Sequence, residues 1–309
     1  MSKFLLIGGA GFVASHLCDR LLSMGHHVTV MDNLVTGRMD NLFSAQSNPH
    51  FSFVDWDVTK PFPEMGPVDG VLHMASPASP KDFVPLSREI LAVGSFGTWN
   101  AIEFARRHNA WFLFSSTSEV YGDPLVHPQT EDYLGNVNCI GIRGVYDESK
   151  RFSESLIMAN VRAGDLQASI FRIFNTYGPR MRANDGRAVP NFVDQALKGE
   201  PMTVHGDGSQ TRSFCFVDDL IDGISKIIEK RPTGPLNLGN PHEVSILDIA
   251  QTINKICGSK SQIRFTELPA DDPKQRCPDL TRTKNVLQWE PTVELEKGLR
   301  KTVEFFKEP

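Results

Sequence analysis

Short apolar runs alternate with longer amphipathic stretches in the first half of the chain. Lys3–Ile7 has the composition of a buried strand, residues 11–24 have helical periodicity, and His27–Asp32 is a second apolar run, so these segments predict a βαβ unit. Further strands are predicted at residues 51–55, 68–74, 110–115 and 167–172, and helices at residues 87–108 and 146–163. This alternation is typical of a doubly wound parallel sheet, so we predict an α/β fold of the Rossmann type.

The sequence changes in character after about Gly178, where glycine and proline separate shorter elements. These include a predicted strand at Met202–His205 and a predicted helix at residues 245–257. We predict a dinucleotide-binding domain over residues 1–178, to which a later segment at about 207–240 returns, and a smaller α/β substrate-binding region over residues 179–309. The ligand site is expected in the cleft between them, at the carboxyl ends of the strands.

Composition narrows the possible partners. The chain has 309 residues, a net charge of −5 and a pI near 6.0, so it lacks the basic excess that nucleic-acid binding requires. No run approaches the roughly 18 apolar residues that span a bilayer, so no membrane partner is expected. The scattered cysteines include no C-x-x-C pair, which argues against disulfides and a zinc site and favours a reducing cytoplasm; they are Cys18, Cys139, Cys215, Cys257 and Cys277.

A glycine-rich turn follows the first strand, in the pattern Gly8-x-x-Gly11-x-x-Ala14. Small residues there let the backbone approach a pyrophosphate at the N-terminus of a helix. Asp32 ends the second strand, where its carboxylate would accept the ribose hydroxyls and repel a 2′-phosphate, so NAD is favoured over NADP. Asp57 would border the adenine or be an ordinary turn residue. The expected cofactor-binding residues are Gly8, Gly11, Phe12, Val13, Asp32, Asn33, Asp57, Val58, Ala75 and Ser76, together with Tyr146 and Lys150.

Tyr146 and Lys150 are spaced i,i+4 in a predicted helix, on one helical face. A nearby ammonium is expected to lower the pKa of the tyrosine and make it a general base. The segment from Ser115 to Gly122 follows a predicted strand and would bring Thr117 and the residues after it to the same edge of the sheet. A lone Y-x-x-x-K is usually only an exposed helix, and the loop could merely cap a helix, but the preceding motifs favour a redox site.

Several cationic and amide side chains follow predicted strands or lie in loops bounded by glycine and proline, which is where ligands are commonly held. A diphosphate needs several such donors, although any single arginine is more often a solvated surface residue. The candidates are Arg172, Asn175, Arg180, Arg212 and Arg276.

With these motifs, the chain resembles the extended short-chain dehydrogenase/reductase family over essentially its whole length. Within that family the decarboxylases of UDP-glucuronate are the most similar, on the motifs Thr117-Ser-Glu-Val-Tyr-Gly, Gly135-Asn-Val-Asn, Tyr146-Asp-Glu-Ser-Lys150, Phe174-Asn-Thr-Tyr-Gly-Pro-Arg-Met181 and Gln210-Thr-Arg-Ser-Phe-Cys. The resemblance implies that Tyr146 and Lys150 are catalytic, with Thr117, Ser118, Glu119 and Arg276 around the sugar. The expected substrate-binding residues are Pro80, Asn175, Arg180, Asn191, His205, Arg212 and Arg276, with Lys198 as a further candidate.

The chain departs from the family pattern at three positions. Ala14 replaces the usual third glycine, Gly94 stands where many relatives have an asparagine, and His205 replaces a common tyrosine. The resemblance implies oxidation of the sugar at C4 with NAD, loss of CO2 from the resulting 4-ketone, and reduction to UDP-xylose. It also implies a homodimer through the helices at 87–108 and 146–163, with Ile90, Leu156 and Ile157 on their outer faces unless these face the sheet.

Three alternatives remain open from sequence. A 4,6-dehydratase is disfavoured because such relatives have Asp-Glu where this chain has Ser118-Glu119, and serine is a poor general acid. A 4-epimerase would need only the oxidation at C4 and a rotation of the 4-keto sugar in the site, so that the hydride returns to its other face. A non-catalytic NAD-binding scaffold would be expected to lack Tyr146 or Lys150, and both are present.

Overall fold

The computed structural model describes residues 1–183, 185–268 and 275–307. The strands are β1 Lys3–Ile7, β2 His27–Asp32, β3 Phe51–Asp55, β4 Gly70–His73, β5 Trp111–Thr117, β6 Ala168–Ile173, β7 Thr176–Tyr177, β8 Met202–His205, β9 Thr211–Ser213, β10 Cys215–Phe216, β11 Gly234–Leu238, β12 Glu243–Ser245 and β13 Ile263–Thr266. The α-helices are α1 Phe12–Ser23, α2 Phe43–Gln46, α3 Ser87–Ala92, α4 Thr98–Arg107, α5 Gly144–Arg162, α6 Ala188–Lys198, α7 Val217–Lys230, α8 Ile246–Cys257, α9 Thr281–Leu287 and α10 Leu295–Lys307.

Seven parallel strands form the central sheet in the order β11-β6-β5-β4-β1-β2-β3. Alternate residues of each strand point to opposite faces, so Phe4 and Leu6 pack into one apolar core while Leu5 and Ile7 pack into another. Helices cover both faces, which confirms the predicted doubly wound sheet. Strand order reverses between β1 and β4, and this is where such sheets bind ligands.

The later part of the chain builds a smaller layer beside the sheet. Strands β8 and β13 pair in parallel, and helices α6, α8 and α10 pack together near them. The chain also returns to the central sheet, because β11 pairs with β6 along the sheet edge. Among the described residues, no helix combines the length and apolar composition needed to cross a membrane.

The predicted helix at residues 87–108 is interrupted. A π-helical turn at Val93–Gly97 separates α3 from α4. Gly94 permits the close approach of α5 there, because a Cβ atom on Gly94 would lie 2.6 Å from the Cβ of Ser149. Glycine weakens a regular helix, and π turns occur often near functional sites.

The predicted outward orientation of two apolar residues is wrong. Ile90 packs with Phe83 and Tyr146, and Ile157 lies in the core between α5 and the sheet; both side chains are fully buried. Leu156 is half-buried and packs against the same core as Ile157. Packing against the sheet therefore accounts for Leu156 and Ile157, as the alternative interpretation expected, whereas Ile90 is buried in a separate small cluster with Phe83 and Tyr146.

Candidate active site

A cleft of about 530 Å³ runs along the carboxyl ends of β1, β2, β4, β5 and β6 and reaches the smaller region. It brings together every predicted cofactor and substrate residue except Arg172 and Lys198. The predicted residues lining it are Gly8, Gly11, Phe12, Val13, Asp32, Asn33, Asp57, Val58, Ala75, Ser76, Pro80, Thr117, Ser118, Glu119, Tyr146, Lys150, Asn175, Arg180, Asn191, His205, Arg212 and Arg276.

The turn after β1 leaves no room for side chains at its first glycine. Gly8 has a φ of +78°, and a Cβ atom there would lie 2.5 Å from the Cα atom of Ala75. The N-terminus of α1 at Gly11 has no side-chain cap and no acidic residue in its first turn. Bare backbone amides and the helix dipole thus face the cleft, as the binding of a pyrophosphate requires.

Asp32 fixes the adjoining loop with its carboxylate. Oδ2 accepts a hydrogen bond from the Ala10 amide at 3.0 Å, and Oδ1 accepts one from the Leu34 amide at 2.9 Å. Burial raises the pKa of Asp32, while these amides oppose the rise. The carboxylate therefore lines the cleft at the end of β2, in the position that the ribose of NAD requires.

Tyr146 and Lys150 face the cleft from α5, and both side chains are buried. The Tyr146 ring stacks on Phe83 with ring centroids 5.3 Å apart. Lys150 Nζ lies 5.9 Å from the centre of the Tyr146 ring and donates a hydrogen bond to the Ser115 carbonyl at 2.7 Å. The predicted helical pairing of these two residues is therefore present.

The prediction that Lys150 lowers the pKa of Tyr146 is wrong for this structure, in which the pKa is raised. Burial raises the pKa of Tyr146, and the Glu119 carboxylate raises it further, although a hydrogen bond with Thr117 opposes both effects. Burial also lowers the pKa of Lys150 to about 7, against the influence of Glu154. A sequence pattern shows that the two groups are adjacent, but it does not show how strongly a protein interior disfavours their charges.

Glu119 is held between two guanidinium groups. Arg143 Nη2 donates to Glu119 Oε2 at 2.6 Å, and Arg276 Nη1 donates to Glu119 Oε1. Burial alone would raise the pKa of Glu119, but Arg276 and Arg143 together lower it to about 2. The nearby Asp147 has a pKa raised to about 8 by burial and by the charge of Glu119. At neutral pH this cluster therefore carries two positive charges and one negative charge.

Buried donors that suit a polyanion also line the cleft. Asn175 Nδ2, Arg180 Nη1 and Arg276 Nε are buried without a hydrogen-bond partner among the described residues. Arg180 also forms an ion pair with Asp19 at 2.6 Å. Asn191 accepts a hydrogen bond from the Gly186 amide at 3.1 Å. Buried donors rarely remain unsatisfied, and these three lie where they can donate to a ligand in the cleft.

Two of the predicted cationic residues lie away from the cleft. Arg172 is buried behind it, where Nε and Nη2 form hydrogen bonds of 2.9 and 2.7 Å with Glu154 and Nη1 contacts Tyr121. Lys198 lies at the exposed end of α6 and pairs with Asp194 at 2.9 Å. The sequence did not show that each of these cations forms an ion pair with a carboxylate, Arg172 with Glu154 and Lys198 with Asp194.

Sequence reasoning missed Arg143 and Arg187, which both line the cleft. Arg143 precedes Tyr146 by three residues at the start of α5, so helical spacing could have identified it. Arg187 precedes α6 and forms hydrogen bonds with both carboxylate oxygens of Asp185, with 2.8 Å between Nη2 and Oδ2. No sequence motif marks Arg187.

Comparison with known proteins agrees with this geometry. Residues 4–239 match the family model described as "NAD dependent epimerase/dehydratase family". The chain belongs to this family. The extended short-chain dehydrogenase/reductase resemblance is thus confirmed, and NAD is the cofactor of this family member.

Among curated relatives, UDP-glucuronic acid decarboxylase 4 of Arabidopsis thaliana is 47% identical over 99% of this chain and 69% of that protein. UDP-glucuronic acid decarboxylase 1 of Danio rerio is 46% identical over 98% of this chain and 72% of that protein. A structure of Bacillus cereus UDP-glucuronic acid 4-epimerase with UDP-glucuronic acid and NAD superposes with a TM-score of 0.89 at 28% identity, covering 99% of both chains. The similarity to these proteins therefore extends over nearly the whole chain.

Proposed function

We propose that this enzyme decarboxylates UDP-glucuronate to UDP-xylose with bound NAD. The curated decarboxylases at 46–47% identity over nearly the whole chain support this substrate. Within the site, the observation that carries the proposal is Glu119 between Arg143 and Arg276, close enough to Tyr146 to raise its pKa. The net positive charge of this cluster suits a substrate that has a carboxylate beside its reacting carbon.

When bound, NAD would supply the redox chemistry, taking a hydride from C4 of the sugar and returning it after CO2 is lost. Tyr146 takes the proton of the C4 hydroxyl, and Thr117 holds the oxygen from the end of β5. The resulting 4-ketone is β to the C5 carboxylate, so the bond to CO2 can break with its electrons moving into an enolate. Protonated Tyr146 and Thr117 donate hydrogen bonds to the enolate oxygen, and C5 takes up a proton from solvent. C4 then regains its hydride while Tyr146 returns its proton to the C4 oxygen, which gives the pentose.

The residues divide between two ligands in this proposal. Gly8, Gly11 and Asp32 hold NAD within residues 1–178, which the returning segment at about 207–240 completes. The region at 179–309 contributes Asn191, Arg212 and most of the other groups for the UDP part. Asn175, Pro80 and Arg180 border this site, and His205 contributes from the end of β8. All of these residues line the same cleft, so the two ligands would lie side by side in it.

Product identification separates this activity from 4-epimerisation, which the similar Bacillus cereus structure makes the second candidate. Purified enzyme incubated with UDP-glucuronate should release CO2 and UDP-xylose, measured by mass spectrometry. Tyr146→Phe should reduce turnover by at least ~10²-fold because it removes the general base. Tyr133→Phe, in the nearby loop, is the matched control. Formation of UDP-galacturonate without CO2 would establish an epimerase instead.

We also propose a homodimer that forms through α3, the π turn, α4 and α5. The support is now a set of exposed apolar side chains on these adjoining elements, namely Leu91, Phe96, Trp99 and Phe152. Exposed apolar surface of this kind is common at subunit interfaces. Phe96→Glu should shift the mass measured by light scattering from dimer to monomer. A monomeric parent at micromolar concentration would contradict the proposal.

A cytoplasmic location belongs to the same proposal. All five cysteines are free thiols, and Cys18 and Cys215 lie in the apolar core. A reducing compartment is compatible with such residues. Fractionation of the native source cells should recover the protein with cytoplasmic marker enzymes, and recovery with secreted proteins would contradict this location.

A further inference from the structure

Three side chains with metal-ligating chemistry meet outside the proposed active site. They are His127, which follows β5 in the chain, Glu243 at the start of β12, and Cys277, which precedes α9. His127 Nε2 lies 3.0 Å from Glu243 Oε2, and one ligating atom of each of the three residues lies within 4.8 Å of the others. Within residues 1–183, 185–268 and 275–307, this is the one such cluster of three or more. We propose that these residues bind a zinc ion.

The ligand types favour zinc over the harder cations. Thiolate, imidazole and carboxylate are the usual zinc ligands, and three protein ligands leave the fourth tetrahedral position for water. Ligating atoms around zinc lie roughly 3–4 Å apart, so small side-chain movements would complete this geometry. Magnesium and calcium prefer oxygen ligands throughout, and a cysteine sulfur disfavours both.

Neighbouring hydrogen bonds already hold two of the ligand-bearing segments together. Gln129 is fully buried, and its Oε1 accepts a hydrogen bond from the Cys277 amide at 2.9 Å. The backbone amide of Gln129 donates to the Cys277 carbonyl, also at 2.9 Å. Thr211 Oγ1 donates to Glu243 Oε1 at 2.6 Å and so orients the carboxylate. Such outer hydrogen bonds support metal affinity by fixing the ligands.

The cluster can be reached from solvent. The His127 and Glu243 side chains are 35% and 27% exposed, while Cys277 is buried behind them. An ordinary ion pair explains the contact between His127 and Glu243, but it does not require a thiol beside them. The Cys277 thiol now donates to the Pro241 carbonyl at 3.3 Å, and it would exchange this hydrogen bond for a bond to the metal.

The site lies beside residues that the proposed function assigns to the substrate. Cys277 directly follows Arg276, and Val244, next to Glu243, pairs with Arg212 between β12 and β9. A bound zinc ion would therefore link the segment that carries Arg276 to β12, the strand that pairs with the one carrying Arg212. Metal binding itself does not depend on the proposed reaction, so the two can be tested separately.

Cobalt(II) provides a direct test because its bond to a thiolate absorbs in the near ultraviolet. Tag-free protein treated with a chelator should bind one Co²⁺ per chain, develop this charge-transfer band, and lose the band when Zn²⁺ is added. Cys277→Ser should abolish the band and weaken binding at least ~10-fold, and Glu243→Gln and Thr211→Ala should each weaken binding roughly 10-fold. Cys139→Ser, which removes an exposed thiol, is the matched control and should bind like the parent.

Several results would overturn the proposal. These are a parent protein without the band at equimolar Co²⁺, a band that persists in Cys277→Ser, or a band that disappears in Cys139→Ser. Far-ultraviolet circular dichroism of each variant excludes unfolding as the cause, and Glu243→Gln keeps the test decisive if Cys277→Ser does not fold. Turnover of UDP-glucuronate, measured in the same preparations, distinguishes failure of the metal site from failure of the proposed function.

Discussion

At the scale of single residues, the proposed mechanism assigns Glu119 and Arg276 to the decarboxylation step and Tyr146 and Lys150 to the oxidation. Arg276 donates from Nη1 to Glu119 and from Nη2 to the Gly122 carbonyl at 3.1 Å, so a lysine could not replace both contacts. Glu119→Gln and Arg276→Ala should each reduce UDP-xylose formation roughly 10²-fold. A 4-keto sugar nucleotide should accumulate, because Tyr146 and Lys150 remain; mass spectrometry detects it. Parent-like turnover in both variants would contradict the assigned roles.

Asp147 provides a pH test at the same scale. Burial, followed by the charge of Glu119, raises its pKa to about 8, so the folded protein retains a proton that the unfolded chain loses near the ordinary value for aspartate. Between these values the folded state binds more protons than the unfolded state, and stability therefore decreases as pH rises towards about 8.

Asp147→Asn removes this dependence because asparagine cannot ionise. At pH values above the pKa of Asp147, the variant should be more stable than the parent by roughly 1–3 kcal/mol. This difference should shrink at acidic pH. Urea unfolding across this pH range measures it. Glu148→Gln is a control on the partly exposed side of the same helix and should not reproduce the effect. A constant difference at every pH would show that Asp147 is not protonated in the folded state.

At the scale of elements, hydrophobic periodicity predicted most strands of the seven-stranded sheet. Strands β1, β2 and β3, for example, are short apolar runs between turns. Periodicity did not identify β11, whose sequence Gly-Pro-Leu-Asn-Leu contains residues that are uncommon in strands. The structure explains the exception, since β11 lies at the edge of the sheet, where proline is tolerated. The pairing of Glu119 with arginines from two distant segments was likewise beyond sequence, because it depends on tertiary packing.

The π turn between α3 and α4 gives a prediction for an element. A Cβ atom at Gly94 would lie 2.6 Å from Ser149 Cβ and 2.8 Å from the Ser149 carbonyl oxygen. Gly94→Ala should therefore push α5 outward and destabilise the protein by roughly 1–3 kcal/mol. Because α5 carries Tyr146 and Lys150, turnover should decrease as well.

Gly66→Ala is the matched control, because an added Cβ atom there meets no atom within 4 Å. Thermal unfolding and steady-state turnover of both variants test the prediction. Gly94→Asn introduces the residue of many relatives and should be at least as disruptive as alanine in this backbone. Full activity and stability of Gly94→Asn would show that α5 moves without cost.

At the scale of the whole molecule, the sheet and the smaller region should unfold together. Asn237 on β11 accepts a hydrogen bond from the Tyr121 hydroxyl at 2.7 Å and donates to the Gln129 carbonyl at 2.9 Å. Its backbone carbonyl accepts a hydrogen bond from Thr283 of α9 at 2.7 Å. A fully buried residue thus joins the sheet to the loop at Gln129 and to α9, which follows Arg276 in the chain.

Asn237→Ala removes the hydrogen bond that the Tyr121 hydroxyl donates and the two that the Gln129 and Asp279 carbonyls accept, so it should cost roughly 3 kcal/mol of unfolding free energy. Asn160→Ala removes a single hydrogen bond to Leu156 within α5 and should cost about 1 kcal/mol or less. For both variants and the parent, far-ultraviolet circular dichroism and tryptophan fluorescence should report one coincident transition. Separate transitions would mean that the two regions fold independently, and Asn237 would then not couple the sheet to the loop that positions Arg276.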